Sequence, residues 1–222
     1  MRSSLEALKS AGIEFVVFLS SYTIGAHDGE PRNVPQSDII PYMHAQVEIN
    51  LHEVFGPERY VVVRPGGFAT NLLRNKNGIA KGEARVHGGN FKMDYITPVD
   101  MGKVSGTILA TQTGPRERQR EVYLFGPQVL SLVDAIGLIG KVLGKEVKIT
   151  EIDAKEAMEQ YEANHVPKPL AEYLVRKLSE EQDDEQFQAY YDEGVRNVQL
   201  YTAKPATTLK EWVEDNKELF SV

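Results

Sequence analysis

Three uninterrupted apolar runs punctuate the chain: Phe15-Val16-Val17-Phe18-Leu19, Tyr60-Val61-Val62-Val63 and Val122-Tyr123-Leu124-Phe125. None alternates with polar residues, the pattern expected of parallel strands covered on both faces. Between and beside them the hydrophobic spacing becomes helical. Ser3-x-x-Glu6 has the form of a capping box opening a first helix, which Gly12 closes. A second helix is predicted from about Pro41 to Phe55, stopped by Gly56-Pro57. A third runs from Asp100, as N-cap, to about Thr111. A fourth follows Gly126-Pro127 and carries Val129, Leu130, Leu132, Val133, Ile136, Ile139 and Leu143 up to Gly144. This alternation is that of an α/β fold with a parallel sheet and helices on both faces.

From residue 146 the pattern changes. Glu146-Val147-Lys148-Ile149-Thr150 reads as a short alternating strand, and Lys- and Glu-rich helices follow from about Ala154. Ser179-Glu180-Glu181-Gln182 reads as a helix start with acidic residues in its first turn. Thr208-x-x-Glu211 caps a last helix containing Trp212 and Leu219-Phe220. The expected division is therefore a sheet domain over residues 1–145 and a smaller, mostly helical lobe over 146–222.

Composition narrows the function classes. The 222 residues are 41% hydrophobic and 26% charged, enough to bury a core. A net charge of −7 argues against a nucleic-acid partner, which needs clustered positive charge. The one dense basic cluster, Arg116-Glu117-Arg118-Gln119-Arg120, reads as a solvated loop. The absence of cysteine excludes disulfides, thiolate metal sites and thiol nucleophiles. No apolar run approaches the ~20 residues that span a bilayer, and no signal-peptide pattern opens the chain. The expectation is a cytoplasmic protein with neither membrane nor nucleic-acid partner.

Glycine clusters supply two decoys. Gly137-x-x-Gly140-x-x-x-Gly144 falls inside a predicted helix, whereas a phosphate loop must lie between strand and helix so that its amides face the anion. His87-Gly88-Gly89-Asn90 reads as a turn, and His27-Asp28-Gly29-Glu30 as a lid or substrate loop. No His, Asp or Glu spacing is that of a metal site.

The helix–strand unit over residues 5–24 ends in Ser20-Ser21-Tyr22. Several segments in order resemble the NmrA-like family, atypical relatives of the short-chain dehydrogenases/reductases. They are Ala11-Gly12 with the strand ending in Ser20-Ser21, Val47-Glu48, and Val63-Arg64-Pro65-Gly66-Gly67-Phe68-Ala69-Thr70-Asn71, which is similar to the family's RPxxFxxN segment. Ile96-Thr97-Pro98-Val99-Asp100-Met101-Gly102, Tyr123-Leu124-Phe125-Gly126-Pro127 and Thr208-Leu209-Lys210-Glu211-Trp212 complete the match.

The resemblance implies a partial Rossmann-like domain that binds NADP or NAD and a lobe covering a hydrophobic small-molecule substrate. It implies that the loops Ser20-Ser21-Tyr22 and Pro65-Gly66-Gly67-Phe68, with Asn71, flank the nicotinamide. The pyrophosphate-binding GxGxxG belongs on the first strand of such a domain, whereas here only Met1-Arg2-Ser3-Ser4 precede the first helix. The sheet edge beside that strand is then open to a homo-oligomer. Superfamily reductases place a lysine four residues before the glutamate matched by Glu48; here that residue is His44. His44, with Tyr42 and Tyr22, is the acid–base candidate. Three activities remain open: an NAD(P)H-dependent reductase in secondary metabolism, a cofactor-free isomerase or cyclase, and a nucleotide-sensing regulator.

Overall fold

The computed structural model describes residues 1–112, 120–180 and 184–221. In chain order the elements are α1 (Arg2–Ser10), β1 (Val16–Leu19), α2 (Ile39–Phe55), β2 (Tyr60–Pro65), α3 (Lys76–Lys81), β3 (Glu83–Val86), β4 (Lys92–Met93), α4 (Pro98–Thr111), β5 (Glu121–Leu124), β6 (Leu130–Ser131), α5 (Leu132–Val142), β7 (Lys148–Glu151), α6 (Ala154–Ala163), α7 (Lys168–Ser179), α8 (Asp184–Thr202) and α9 (Leu209–Asp215). Short 3-10 segments occupy Tyr22–His27, Pro31–Asn33, Ala69–Asn75 and Lys217–Phe220.

The chain forms two compact units, each assembled from separate stretches. The first comprises Met1–Gly66, Val99–Phe125 and Asp184–Ala206. Its centre is the parallel sheet β1-β2-β5, with Leu19 opposite Val63 and Pro65 opposite Leu124. The three apolar runs are these three strands, and every residue of β2 is buried. Tyr60 and Val62 pack with Leu5 of α1 and Leu51, Val54 and Phe55 of α2. Burying one such side chain contributes roughly 1.5–3 kcal/mol.

The second unit comprises Gly67–Pro98, Gly126–Asp183 and Thr207–Val222. In it β3 pairs in parallel with β7, and β4 in antiparallel with β6. Its core gathers Leu72, Ile79, Val86, Tyr95, Ile136, Ile139, Trp212 and Phe220.

The units do not part at residues 145 and 146. Helix α8, expected in the C-terminal lobe, packs on β5. Asn197 Nδ2 donates to the Tyr123 carbonyl at 3.0 Å, and a Cβ on Gly194 would meet the Phe125 ring at 2.1 Å. Conversely β3, from the first half of the chain, pairs with β7. Both are long-range pairings that local hydropathy does not report.

Local expectations were corrected in five places. The Ser3/Glu6 capping box does not form: α1 already includes Arg2, whose Nε donates to Glu6 at 3.0 Å and so occupies that carboxylate. Helix α4 opens at Pro98, which has no amide to leave unsatisfied, and Asp100 lies within its first turn. Helix α5 starts only at Leu132, because Leu130-Ser131 pairs with β4 and the Ser131 hydroxyl caps the Asp134 amide. Ser179 ends α7 rather than opening a helix. The Thr208/Glu211 capping box is present, but α9 stops at Asp215 and Leu219-Phe220 lies in a 3-10 turn, with Phe220 set edge-on to Trp212. Glu181-Gln182 and Arg116–Gln119 of the basic cluster lie outside the described residues.

Candidate functional site

The carboxyl end of the first unit's sheet is organised by a buried charge. Arg64 lies near the end of β2 and is 1% exposed. Its Nε and Nη2 donate to the two oxygens of Glu48 on α2 at 3.2 and 2.6 Å. Nη1 donates to the Tyr123 hydroxyl at 3.0 Å and Nη2 to the Gly29 carbonyl at 3.1 Å. The Ser20 hydroxyl donates to Glu48 from the end of β1. The Tyr190 ring of α8 stacks on Tyr123 with centroids 4.3 Å apart. One guanidinium therefore ties β2, β5, α2 and the loop after β1 together. Burial opposes its charge, but the hydrogen bonds and charge of Glu48, aided by Tyr123, hold its pKa above the ordinary value. Burial raises the Tyr123 phenol despite the opposing pull of Arg64.

The predicted site residues divide on this framework. Ser20 is buried and its hydroxyl is spent on Glu48. Ser21 is half-buried, and its hydroxyl accepts from the Thr23 amide and hydrogen-bonds the Thr23 hydroxyl at 2.8 Å. Tyr22 is half-buried against Phe125, ring centroids 5.5 Å apart. Tyr42 packs against Ile24, Val34 and Ala45, whereas His44 lies 6.0 Å from the Phe18 ring. The three acid–base candidates thus have different neighbours. Burial lowers the His44 pKa, with Glu48 partly opposing, so the imidazole is neutral near pH 7. Pro65 is buried at the end of β2, and the Gly66 amide donates to Leu124 O at 2.9 Å. The loop His27–Glu30 is anchored through Gly29 to Arg64, and His27 Nε2 lies 3.3 Å from Asp38.

Gly67, Phe68 and Asn71 belong to the second unit, all half-buried. A Cβ at Gly67 would meet Met93 Sδ at 2.8 Å, so the space left by the missing side chain is filled by Met93. The Gly67 amide donates to Asp94 Oδ1 at 2.7 Å, and the Gly126 amide to Asp94 Oδ2 at 2.8 Å. Asp94 is 2% exposed; burial raises its pKa to about 7 against the opposing backbone N–H groups of Gly126, Gly67, Asp94 and Ile96. Tyr95 is core and Tyr161 packs on the Ile152 cluster.

The two glycine decoys are structural. Gly140 leaves room for Val147, and the Gly88 and Gly89 amides hold the Glu151 carboxylate at 2.7 and 3.0 Å. Among the described residues no cluster of three acidic or imidazole side chains could hold a metal, and no helix is long and apolar enough to cross a membrane.

Two structural features of the site region are not evident from the sequence alone. The Arg64–Glu48 pair leaves one trace: a lone cation ending an otherwise apolar strand run must find a buried acid. Asp94 leaves none, since Met93-Asp94-Tyr95-Ile96 shows only a polar residue between apolar ones.

A parallel sheet with loops at its carboxyl end, ordered along the chain in βα alternation, defines a Rossmann-like α/β protein. Comparison with known proteins carries the assignment further. No protein-family model matches the chain. A nitrogen metabolite regulation-like protein of Gibberella fujikuroi is 31% identical across 96% of this chain and 69% of its own length. The (4-alkanoyl-5-oxo-2,5-dihydrofuran-3-yl)methyl phosphate reductase of Streptomyces griseus is 24% identical across 97% of this chain and 70% of its own. The NADPH-dependent quinone oxidoreductase of Escherichia coli, solved with NADPH, shares the fold with a TM-score of 0.67 at 19% identity, over 96% of this chain and 69% of that one. The chain belongs to the NmrA-like family of atypical short-chain dehydrogenases/reductases.

Proposed function

We propose that this chain is an NAD(P)H-dependent oxidoreductase that reduces a hydrophobic small molecule in the cytoplasm, in secondary metabolism. The observation that carries the reading is the register of β1 and β2: Leu19 pairs with Val63, so Ser20-Ser21-Tyr22 and Pro65-Gly66 leave the sheet at the same end. Ligands of open parallel sheets bind outside that end. Family membership and the reductase name of the Streptomyces griseus relative support the same reading.

The donor set fits the nicotinamide half of a dinucleotide. A neutral His44 and the Ser21 hydroxyl can hydrogen-bond a sugar hydroxyl or carboxamide, but they offer no positive charge to a phosphate. His44 and Ser21, both in the first unit, are the residues that would hold it. A bound nicotinamide would supply the hydride. His44, part-buried and with its pKa lowered by burial, can hydrogen-bond the group being reduced, and the proton that accompanies reduction comes from solvent.

The test is NADPH consumption, followed by absorbance, against a panel of hydrophobic quinones and enones. Turnover that falls at least about tenfold in His44→Ala is expected. Turnover of a panel compound without nucleotide would replace this reading by cofactor-free acid–base chemistry.

A further inference from the structure

We propose that Asp94 is a positioning residue for the segment Gly67-Phe68-Ala69, which directly follows the strand-end residues Pro65-Gly66, holding it through the Gly67 amide while the Gly126 amide fixes the carboxylate. The inference rests on the functional reading above and deepens it. Residues 94–96 grip this segment at three points within the second unit. The Asp94 carboxylate accepts from Gly67 N at 2.7 Å, Phe68 bridges Ile96 in parallel, and Ala69 N donates to Ile96 O at 2.9 Å.

The carboxylate's other oxygen accepts from Gly126 N at 2.8 Å, which fixes Asp94 from the opposite side. Gly126 must itself lack a side chain, because a Cβ there would lie 2.1 Å from Asp94 O. Between the two gripping residues Tyr95 is held at φ 50°, a left-handed conformation that bulky residues rarely adopt. Such strain persists only where the surroundings over-determine it. Here they do: Tyr95 is 2% exposed, and its neighbours on both sides are pinned.

A buried carboxylate between two amides is a costly way to hold a loop, because desolvation disfavours its charge. An apolar residue would fill the space but leave both amides unpaired. The arrangement fixes the Gly67 peptide plane and thereby where Phe68 begins. In a site that must place a nicotinamide against its substrate, small errors in such a segment weaken binding and turnover together.

The experiment compares Asp94→Asn, which keeps one acceptor, with Asp94→Ala, which keeps none. Ile108→Ala, in the core of the first unit, controls for general destabilisation. Two readouts are taken: hydrogen exchange of the Gly67 and Gly126 amides by NMR, and NADPH affinity by calorimetry. The expected result is graded. Gly67 exchange accelerates about tenfold in Asp94→Asn and further in Asp94→Ala, and the NADPH Kd rises about tenfold and then further. KM for NADPH should rise more than kcat falls. The Ile108→Ala control should leave Gly67 exchange and the Kd unchanged.

Unchanged Gly67 exchange in both Asp94 variants would overturn the proposal. Accelerated exchange with a Kd no worse than the control's would also overturn it, reducing Asp94 to a structural clamp. If the unaltered chain binds no NADPH, the functional reading fails and the positioning role fails with it. The exchange data would still show whether the clamp exists, so the two failures remain distinguishable.

Discussion

Replacing Arg64 with Met should cost as much stability as truncating a large apolar core residue of the first unit. The substitution keeps most of the volume but removes four donor contacts: two to Glu48, one to Tyr123 and one to Gly29 O. It leaves a carboxylate that is 4% exposed with, among the described residues, the Ser20 hydroxyl as its remaining hydrogen-bond donor. Breaking a buried pair from one side costs about 3–5 kcal/mol, mainly because the remaining charge is stranded. Glu48→Leu strands the guanidinium instead and should cost a similar amount. The double variant strands neither charge, and its loss should fall short of the sum of the singles by at least about 2 kcal/mol. Urea unfolding measures all three, with m-values checked for constancy. Circular dichroism reports both units, while fluorescence of Trp212, the one tryptophan, reports the second. Additivity within about 0.5 kcal/mol, or a loss below about 1 kcal/mol for Arg64→Met, would refute the claim that this pair organises the sheet end.

Two further perturbations address the second unit. Gly126→Ala places a Cβ against the backbone carbonyl of Asp94, which cannot swing away as a side chain could; a thermal scan should show a loss of at least about 2 kcal/mol, and an unaltered Tm would contradict the tight approach. The Asp94 carboxyl, raised by burial from 3.8 to about 7, holds its proton in the folded state after the unfolded chain has released it. Its contribution to stability is therefore complete below about pH 4 and lost as pH rises toward 7, about 4 kcal/mol over the full range. Asp94→Asn should flatten that part of the stability profile measured between pH 5 and 8, and an identical slope in both proteins would contradict the assignment.

What the sequence disclosed follows from the range of the interactions involved. The strands β1, β2 and β5 were readable because burial on both faces forces unbroken apolar runs such as Tyr60–Val63. The cap of α9 was readable because Thr208 and Glu211 act within one turn. Features set by distant partners were not. The antiparallel pairing of Leu130-Ser131 with β4 delays the start of α5 although the helical pattern begins earlier. The carboxylate of Asp94 takes its role from Gly67 and Gly126, which lie 27 and 32 residues away in the chain.

The candidate site was partly legible in the same way. The strand-end loops stand where the α/β pattern puts them, but Ser20 serves Glu48, and Arg64 entered only as part of a motif. His44 stood out by resemblance, and its part-buried setting beside Phe18 came from the fold.

The central claim is that these residues hold a nicotinamide dinucleotide, and calorimetric titration of the 222-residue chain with NADPH tests it most directly. Saturable binding with a Kd in the range of about 1–100 μM, weakened in His44→Ala, is the expected result. No heat of binding at about millimolar NADPH, in a chain shown to be folded, would contradict it.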